Sequence, residues 1–201
     1  MISLQVDGCK VDIIPTVNGL VSEVGRMEES FGDYEAYAAS LSIEGIQTLK
    51  NRANIDEEFD VSELDLVYIK HMERFGKVEI PSPAMYTFIV KVTAKGMNVI
   101  PLDMNDEDFT ELYCETVKTS EFFREHRLAK KGMKAEFKSD TPEGLAKEWD
   151  GFVNKLKGYA KISELREEYM AEQIRDIARF KKSLLAIVEV ERVDGLVDLL
   201  R

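Results

Sequence analysis

Histidine is nearly absent from this chain, with two in 201 residues, His71 and His126. Neither has a cysteine or a second histidine at ligand spacing, so both read as helix-face or surface residues and no metal is expected. Cysteine is equally scarce. Cys9 and Cys114 cannot build a disulfide framework or a metal knuckle, which points to a reduced, cytoplasmic setting. Positive charge is in deficit: 27 Lys and Arg against 38 Asp and Glu give a formal net charge of -11. An acidic surface argues against nucleic acid as a partner, because phosphates demand a basic one. Also missing are a phosphate-binding glycine loop, a dinucleotide-binding glycine fingerprint, a nucleophile elbow and a zinc-protease histidine pair. No cofactor is therefore expected. No apolar run is long enough for a membrane helix, and Met1 to Val6 runs straight into a strand pattern rather than a signal peptide.

What is present reads as one α/β domain over 1–201, large enough to bury roughly 70% of its unfolded surface. Ile2–Val6 and Lys10–Ile14 flank Asp7-Gly8 as an N-terminal hairpin. Leu20–Phe31 reads as a helix, Tyr34–Leu41 as a strand, and Ser42 as the cap of a helix over Ile43–Asn51. An acidic loop at Asp56–Asp60 leads to Ser62 and Asp65, which have capping-box spacing before a helix with Leu66 and Ile69 inward. Ser82-Pro83 opens an apolar helix to Lys95, expected deep against the sheet, and Asn98–Leu102 follows as a strand. Asp103 stands at that strand's carboxyl end. Asp103–Asp108 has the start of a calcium loop but Asp108 in the glycine's place, so it reads as a solvated, acid-rich helix N-terminus. Three helical patterns, within 105–117, 120–131 and 143–156, separate this middle strand from the last.

The last forty residues organise the chain. Ile162–Ile177 is a long charged helix with apolar residues at helical spacing, and Leu184–Val188 is an apolar run without alternation. Such a strand is covered on both faces, as in a parallel sheet. A turn over Glu189–Gly195 and a short helical end from Leu196 are expected to follow. The fold class is thus α/β, a mostly parallel central sheet flanked by helices, with Ile100 and Ile187 as buried strand residues. Ligands of such sheets bind where strands end and helices begin.

The run Arg166-Glu167-Glu168-Tyr169-Met170-Ala171, followed by the apolar strand and Val193-Asp194-Gly195, resembles the TraB family, which is related to the Tiki proteases and erythromycin-esterase-like proteins. In that family the helix reads E-R-D-x-Y-M-A and the last strand runs into G-x-G-H-V-x-G. The family's motif histidines and glutamates, implied to bind metal or exchange protons, are replaced by Asn18, Ser40, Ala84 and Arg192. Asparagine, serine, alanine and arginine supply neither a base nor a cation ligand near neutral pH. The resemblance therefore implies a catalytically degenerate domain with no catalytic residue and no metal of the family's type.

Three readings follow. In the first, Thr16, Asn18, Arg166 and Arg192 converge at the strand ends and bind a small anion or a protein partner, with Asp103 and Tyr169 beside them. In the second, a hydrolase has rebuilt its site from Asp103, Glu189 and Glu191. In the third, the chain is an oligomeric scaffold, a homo-oligomer without a ligand. Arg166 has no carboxylate four residues along its own helix, so its expected partner is Asp103.

Overall fold

Leu184 to Val188, the run without polar alternation, is the centre of the sheet. The computed structural model describes residues 1–51 and 61–201; the expected acidic loop at 56–60 lies outside the described residues. Along the chain the elements are β1 (Ile2–Val6), β2 (Cys9–Thr16), α1 (Glu23–Ser30), β3 (Ala36–Ala39), α2 (Ile43–Asn51), α3 (Glu63–Met72) and α4 (Pro83–Ala94). There follow β4 (Val99–Pro101), α5 (Asp106–Thr116), α6 (Thr119–Gly132), α7 (Pro142–Val153), α8 (Lys157–Ala178), β5 (Ser183–Glu189) and α9 (Val190–Leu200). The five strands lie in the order β1-β2-β5-β3-β4. The first pair is the antiparallel hairpin, its turn closed by Asp7 and Gly8 at φ 48° and 85°; the other pairings are parallel.

Both faces of the sheet are covered, which is why β5 shows no alternation. On one face Leu184, Ala186 and Val188 join Val11, Ile13 and Ala38 against Met170 and Ile174 of α8 and Leu196 of α9. On the other, Leu185 and Ile187 join Tyr37 and Ala39 against Met27 of α1, Ile46 of α2 and Phe88 of α4. A third cluster caps the carboxyl end: Val17 and Leu20 after β2 and Val190 after β5 pack on Tyr68 and Met72 of α3 and Leu145 of α7.

Connectivity then fixes where a site can be. The chain leaves β2 and β3 toward helices on the α1, α2 and α4 face, but leaves β5 into α9 on the opposite face. The carboxyl end of β5, flanked by β2 and β3, is thus a point where neighbouring connections diverge and a crevice opens.

Several sequence expectations need correction. No turn follows β5: α9 begins at Val190 and runs through Gly195. Its buried residues Val190, Val193, Leu196, Val197 and Leu200 have helical spacing from the start. Ile100 is only half-buried because β4 is a three-residue edge strand paired on one side. In α3 the inward stripe is Leu64, Val67, Tyr68 and Met72, and Leu66 is exposed; the alternative phase wins because it also brings Tyr68 onto the third cluster. The expected capping box of Ser62 and Asp65 is present, and Ser42 caps α2 by accepting the Gly45 N–H at 3.0 Å. Ser82 precedes α4 as expected, yet its hydroxyl makes no capping bond.

The difference between centre and edge is measurable. Ile187→Ala, at a fully buried position, should cost about 3–4 kcal/mol in urea unfolding, within the range for deleting buried aliphatic side chains. Ile100→Ala should cost about 1 kcal/mol because part of that side chain already meets water. Equal costs would contradict the edge position of β4.

Candidate functional site

The carboxyl ends of β2, β5, β3 and β4 carry polar residues, in contrast to the apolar strands that lead to them. Thr16 ends β2 and pairs in register with Glu189, the last residue of β5. Ser40 directly follows β3, and Asp103 lies two residues beyond β4. Strand periodicity places Glu189 on the same face as Leu185 and Ile187, toward α2 and α4. There the Ser40 hydroxyl donates to the Glu189 carboxylate at 2.5 Å while Ser40 Oγ accepts the Glu189 backbone N–H at 3.2 Å. The loop after β2 is tied down beside it. Glu23 accepts the Val17 N–H at 3.1 Å, the Tyr68 hydroxyl donates to the Asn18 carbonyl at 3.2 Å, and Gly19 sits at φ 79°, against Val78 and the Glu79 carbonyl. A side chain at Gly19 would meet both strain and a wall.

The expected pairing of Arg166 with Asp103 is formed. Arg166 Nε donates to Asp103 Oδ2 at 2.9 Å and Nη2 donates to the same oxygen, while Asp103 Oδ1 accepts the Met104 N–H at 2.9 Å. The two side chains are 26% and 10% exposed, so the pair is largely removed from water. Burial opposes the charge on Arg166, but Asp103 outweighs it and holds the guanidinium above its ordinary pKa.

Arg192, in the first turn of α9, is 4% exposed and contacts two carboxylates, Asp150 of α7 and Glu167 of α8, the latter at 2.8 Å. Burial and pairing pull in opposite directions at this trio. Burial lowers Arg192 to about 10 and raises Glu167 to about 7. The contacts favour the ionic forms, and a guanidinium at about 10 remains charged at neutral pH, so the trio holds as an ion pair that joins α7, α8 and α9. Gly195 permits the approach, since a Cβ there would collide with the Glu167 carboxylate.

Two further carboxyls stand out. Burial pushes Glu189 upward despite Arg166 and the Ser40 hydrogen bond. Glu191, in the first turn of α9, is raised to about 8 by burial and then by Glu189, and its Oε2 is enclosed without a partner among the described residues. Thr16 Oγ1 and Ser82 Oγ are likewise buried and unpartnered. Most buried polar atoms in folded proteins are satisfied. Three of the four unpartnered buried side-chain atoms found among the described residues thus belong to this end of the molecule or the crevice beside it; the fourth is Asp12 Oδ1 in the hairpin strand.

Three contiguous hollows surround these groups. One of about 330 Å³ is lined by Asn18, Ser82, Glu44, Asp106 and Glu189 together with apolar residues from Leu41 to Met85. Glu189 also lines a second, about 280 Å³, with Ser40, Asp103 and Arg166. Arg166 continues into a third, about 230 Å³, with Glu191, Arg192 and Asp150.

Of the residues expected at the site, Asn18, Asp103, Arg166 and Arg192 border these hollows, while Thr16 is enclosed beside Glu189. Tyr169 is elsewhere. It lies in another crevice with Met104, Asp108 and Leu165, because α8 presents two stripes, 162/163/166 and 165/168/169/172, rather than the single face read from the sequence. Ser82, Glu44 and Asp150 were not anticipated. Ser82 had a signal, as a serine at a helix start, but it was read as a cap. Among the described residues, no group of three or more His, Cys, Asp or Glu side chains is placed to hold a metal ion.

No protein-family model matches the chain, and neither a curated protein nor a solved structure matches it significantly. Fold and site together define an open α/β domain with an acidic, partly desolvated crevice at the diverging ends of its parallel strands.

The raised carboxyl of Glu191 has a stability consequence with a definite sign. Its folded pKa, about 8, exceeds its ordinary value of 4.5, so its contribution is fully present below pH 4.5 and is lost as pH rises through about 8. Glu191→Gln should therefore stabilise the domain at pH 9 relative to the wild type, by up to about 4–5 kcal/mol, with a difference under about 1 kcal/mol at pH 5. Urea melts across that range would check it; a constant difference at both pH values would show that Glu191 does not titrate as its burial demands.

Proposed function

We propose that this chain is a divergent TraB-like domain whose site has been rebuilt as an acidic pocket for a small molecule. The observation that carries the reading is Glu189. It ends the central strand at the point where the connections diverge, receives the Ser40 hydroxyl and borders two adjoining hollows. The family resemblance gains support from position. Asn18, Ser40, Ala84 and Arg192, which stand where the family has histidine or glutamate, all lie at the carboxyl ends of strands or in the first turns of α4 and α9. Ser40 occupies a family glutamate's place and donates to Glu189, which occupies a family glycine's place. On this reading the carboxylate has moved from the end of β3 to the end of β5.

The charge balance selects against the anion expected from the sequence. Both arginines are engaged by the chain's own carboxylates, Arg166 by Asp103 and Arg192 by Asp150 and Glu167. What remains directed at the hollows is acceptor-rich: Glu189, Glu191 and the unpartnered hydroxyl of Ser82. A ligand that donates hydrogen bonds satisfies these groups, whereas an anion finds both arginines already engaged.

One observation favours a second, catalytic reading of the same site. Glu189 and Glu191 are both pushed upward by burial, and a buried carboxyl held protonated serves as a general acid in hydrolases. Amide chemical-shift mapping with a panel of small polar compounds, including esters and amides, tests both readings at once. Shifts should gather at Asn18, Ser40, Leu41, Ser82 and Glu189, and hydrolysis products in the same tubes would mark turnover. Shifts that gather away from these residues would overturn the assignment of the site.

A further inference from the structure

The largest of the three hollows has a lining that specifies its occupant more narrowly. Three carboxylates face it, Glu44 from α2, Asp106 from the start of α5 and Glu189 from β5, and among the described residues that line it there is no lysine, arginine or histidine. Arg166 borders the neighbouring hollow instead and is held by Asp103. The remaining wall is mainly aliphatic, with Leu41, Leu49, Ile80 and Met85. Ser82 also lines it, is 7% exposed and has no partner for its hydroxyl. Among the described residues the rim carboxylates are engaged by long hydrogen bonds: Glu44 accepts the Asp106 N–H at 3.3 Å and Asp106 accepts the Ser42 hydroxyl at 3.3 Å.

We propose that this hollow binds a small alkylammonium ion, with its methylene stem against the aliphatic wall and its ammonium group on Glu189 and Ser82. This rests on the reading that the carboxyl end of the sheet is a ligand site. An ammonium carries three donors and no acceptor, which matches a carboxylate and a free hydroxyl. Its charge compensates carboxylates that a neutral occupant would leave desolvated and unpaired. The aliphatic wall explains why the occupant is an organic cation rather than a hydrated inorganic one, since apolar surface gains nothing from covering a hydration shell. At about 330 Å³ the hollow falls at the small end of ordinary ligand pockets. A short diamine extends the same chemistry, placing its second ammonium toward the Glu44 and Asp106 rim.

Calorimetric titration of the whole chain with butylamine, putrescine, butanol and butyrate at matched ionic strength tests the proposal. The two amines should bind, putrescine more tightly, while butanol and butyrate should not. Glu189→Gln should weaken putrescine by about tenfold or more, and the rim variant Glu44→Gln by about threefold, as expected for losing charge-assisted contacts of unequal burial. Glu44→Gln keeps the test valid even if Glu189→Gln fails to fold. Amines that bind both variants as tightly as wild type overturn the proposal. So does an absence of amine binding at about 10 mM, weaker than a useful interaction. If butanol or butyrate then binds with shifts at Asn18 and Ser82, the ligand site stands and only the ammonium class falls. If no compound of any class perturbs those residues, the ligand-site reading falls as well.

Discussion

The ion pair between Arg166 and Asp103 is the constraint on which this end of the molecule depends. α8 is 22 residues long and most of it is held by ordinary apolar packing, Met170 and Ile174 against the sheet. Its N-terminal half lies beside Asp150 of α7 and Glu191 and Arg192 of α9. Arg166 fixes that half by grasping Asp103, two residues beyond β4. The desolvation of two side chains only 26% and 10% exposed is offset by three bonds to Asp103, counting the Met104 N–H. Pairs of this kind hold only when the geometry and the remaining hydrogen bonds are good.

With Arg166 so engaged, the neighbouring groups follow. Arg166 still favours the charged forms of Glu189 and Glu191, but burial prevails and pushes both carboxyls upward. Arg192 is similarly committed to Asp150 and Glu167, which lock α7 and α8 onto α9. The result is a sheet end whose charges are answered in pairs around a core of unanswered acceptors. Unpartnered Thr16, Ser82 and Glu191 atoms lie there, against one such atom elsewhere among the described residues, Asp12 Oδ1. Folded chains concentrate such violations at functional sites.

Much of this was legible in the sequence because it is local or periodic. Asp7-Gly8 announces the hairpin, and Leu184–Val188 announces a strand buried on both faces. Even the Arg166–Asp103 pair could be inferred, since the helix itself offered Arg166 no partner at the right spacing. What was illegible depends on edges and depth. Pro101, with no N–H for a ladder, hints that β4 is an edge strand, but the apolar run around it made Ile100 read as core. The charged run Glu189-Val190-Glu191-Arg192 looked like a turn because its acids suit a surface; only the packing of α9 shows that Arg192 is enclosed. The site suffered in the same way. Arginines at strand ends suggested an anion, and the aspartate that neutralises Arg192 comes from α7, with no local signal in the sequence.

The central claim is that Arg166 is committed to Asp103 rather than left free for a ligand. A double-mutant cycle on Arg166→Ala and Asp103→Ala, read by urea unfolding, measures that commitment directly. The account predicts a coupling free energy of about 2 kcal/mol or more, as for contacting residues in a partly buried pair. Additive effects, with coupling within about 0.3 kcal/mol of zero, would contradict it.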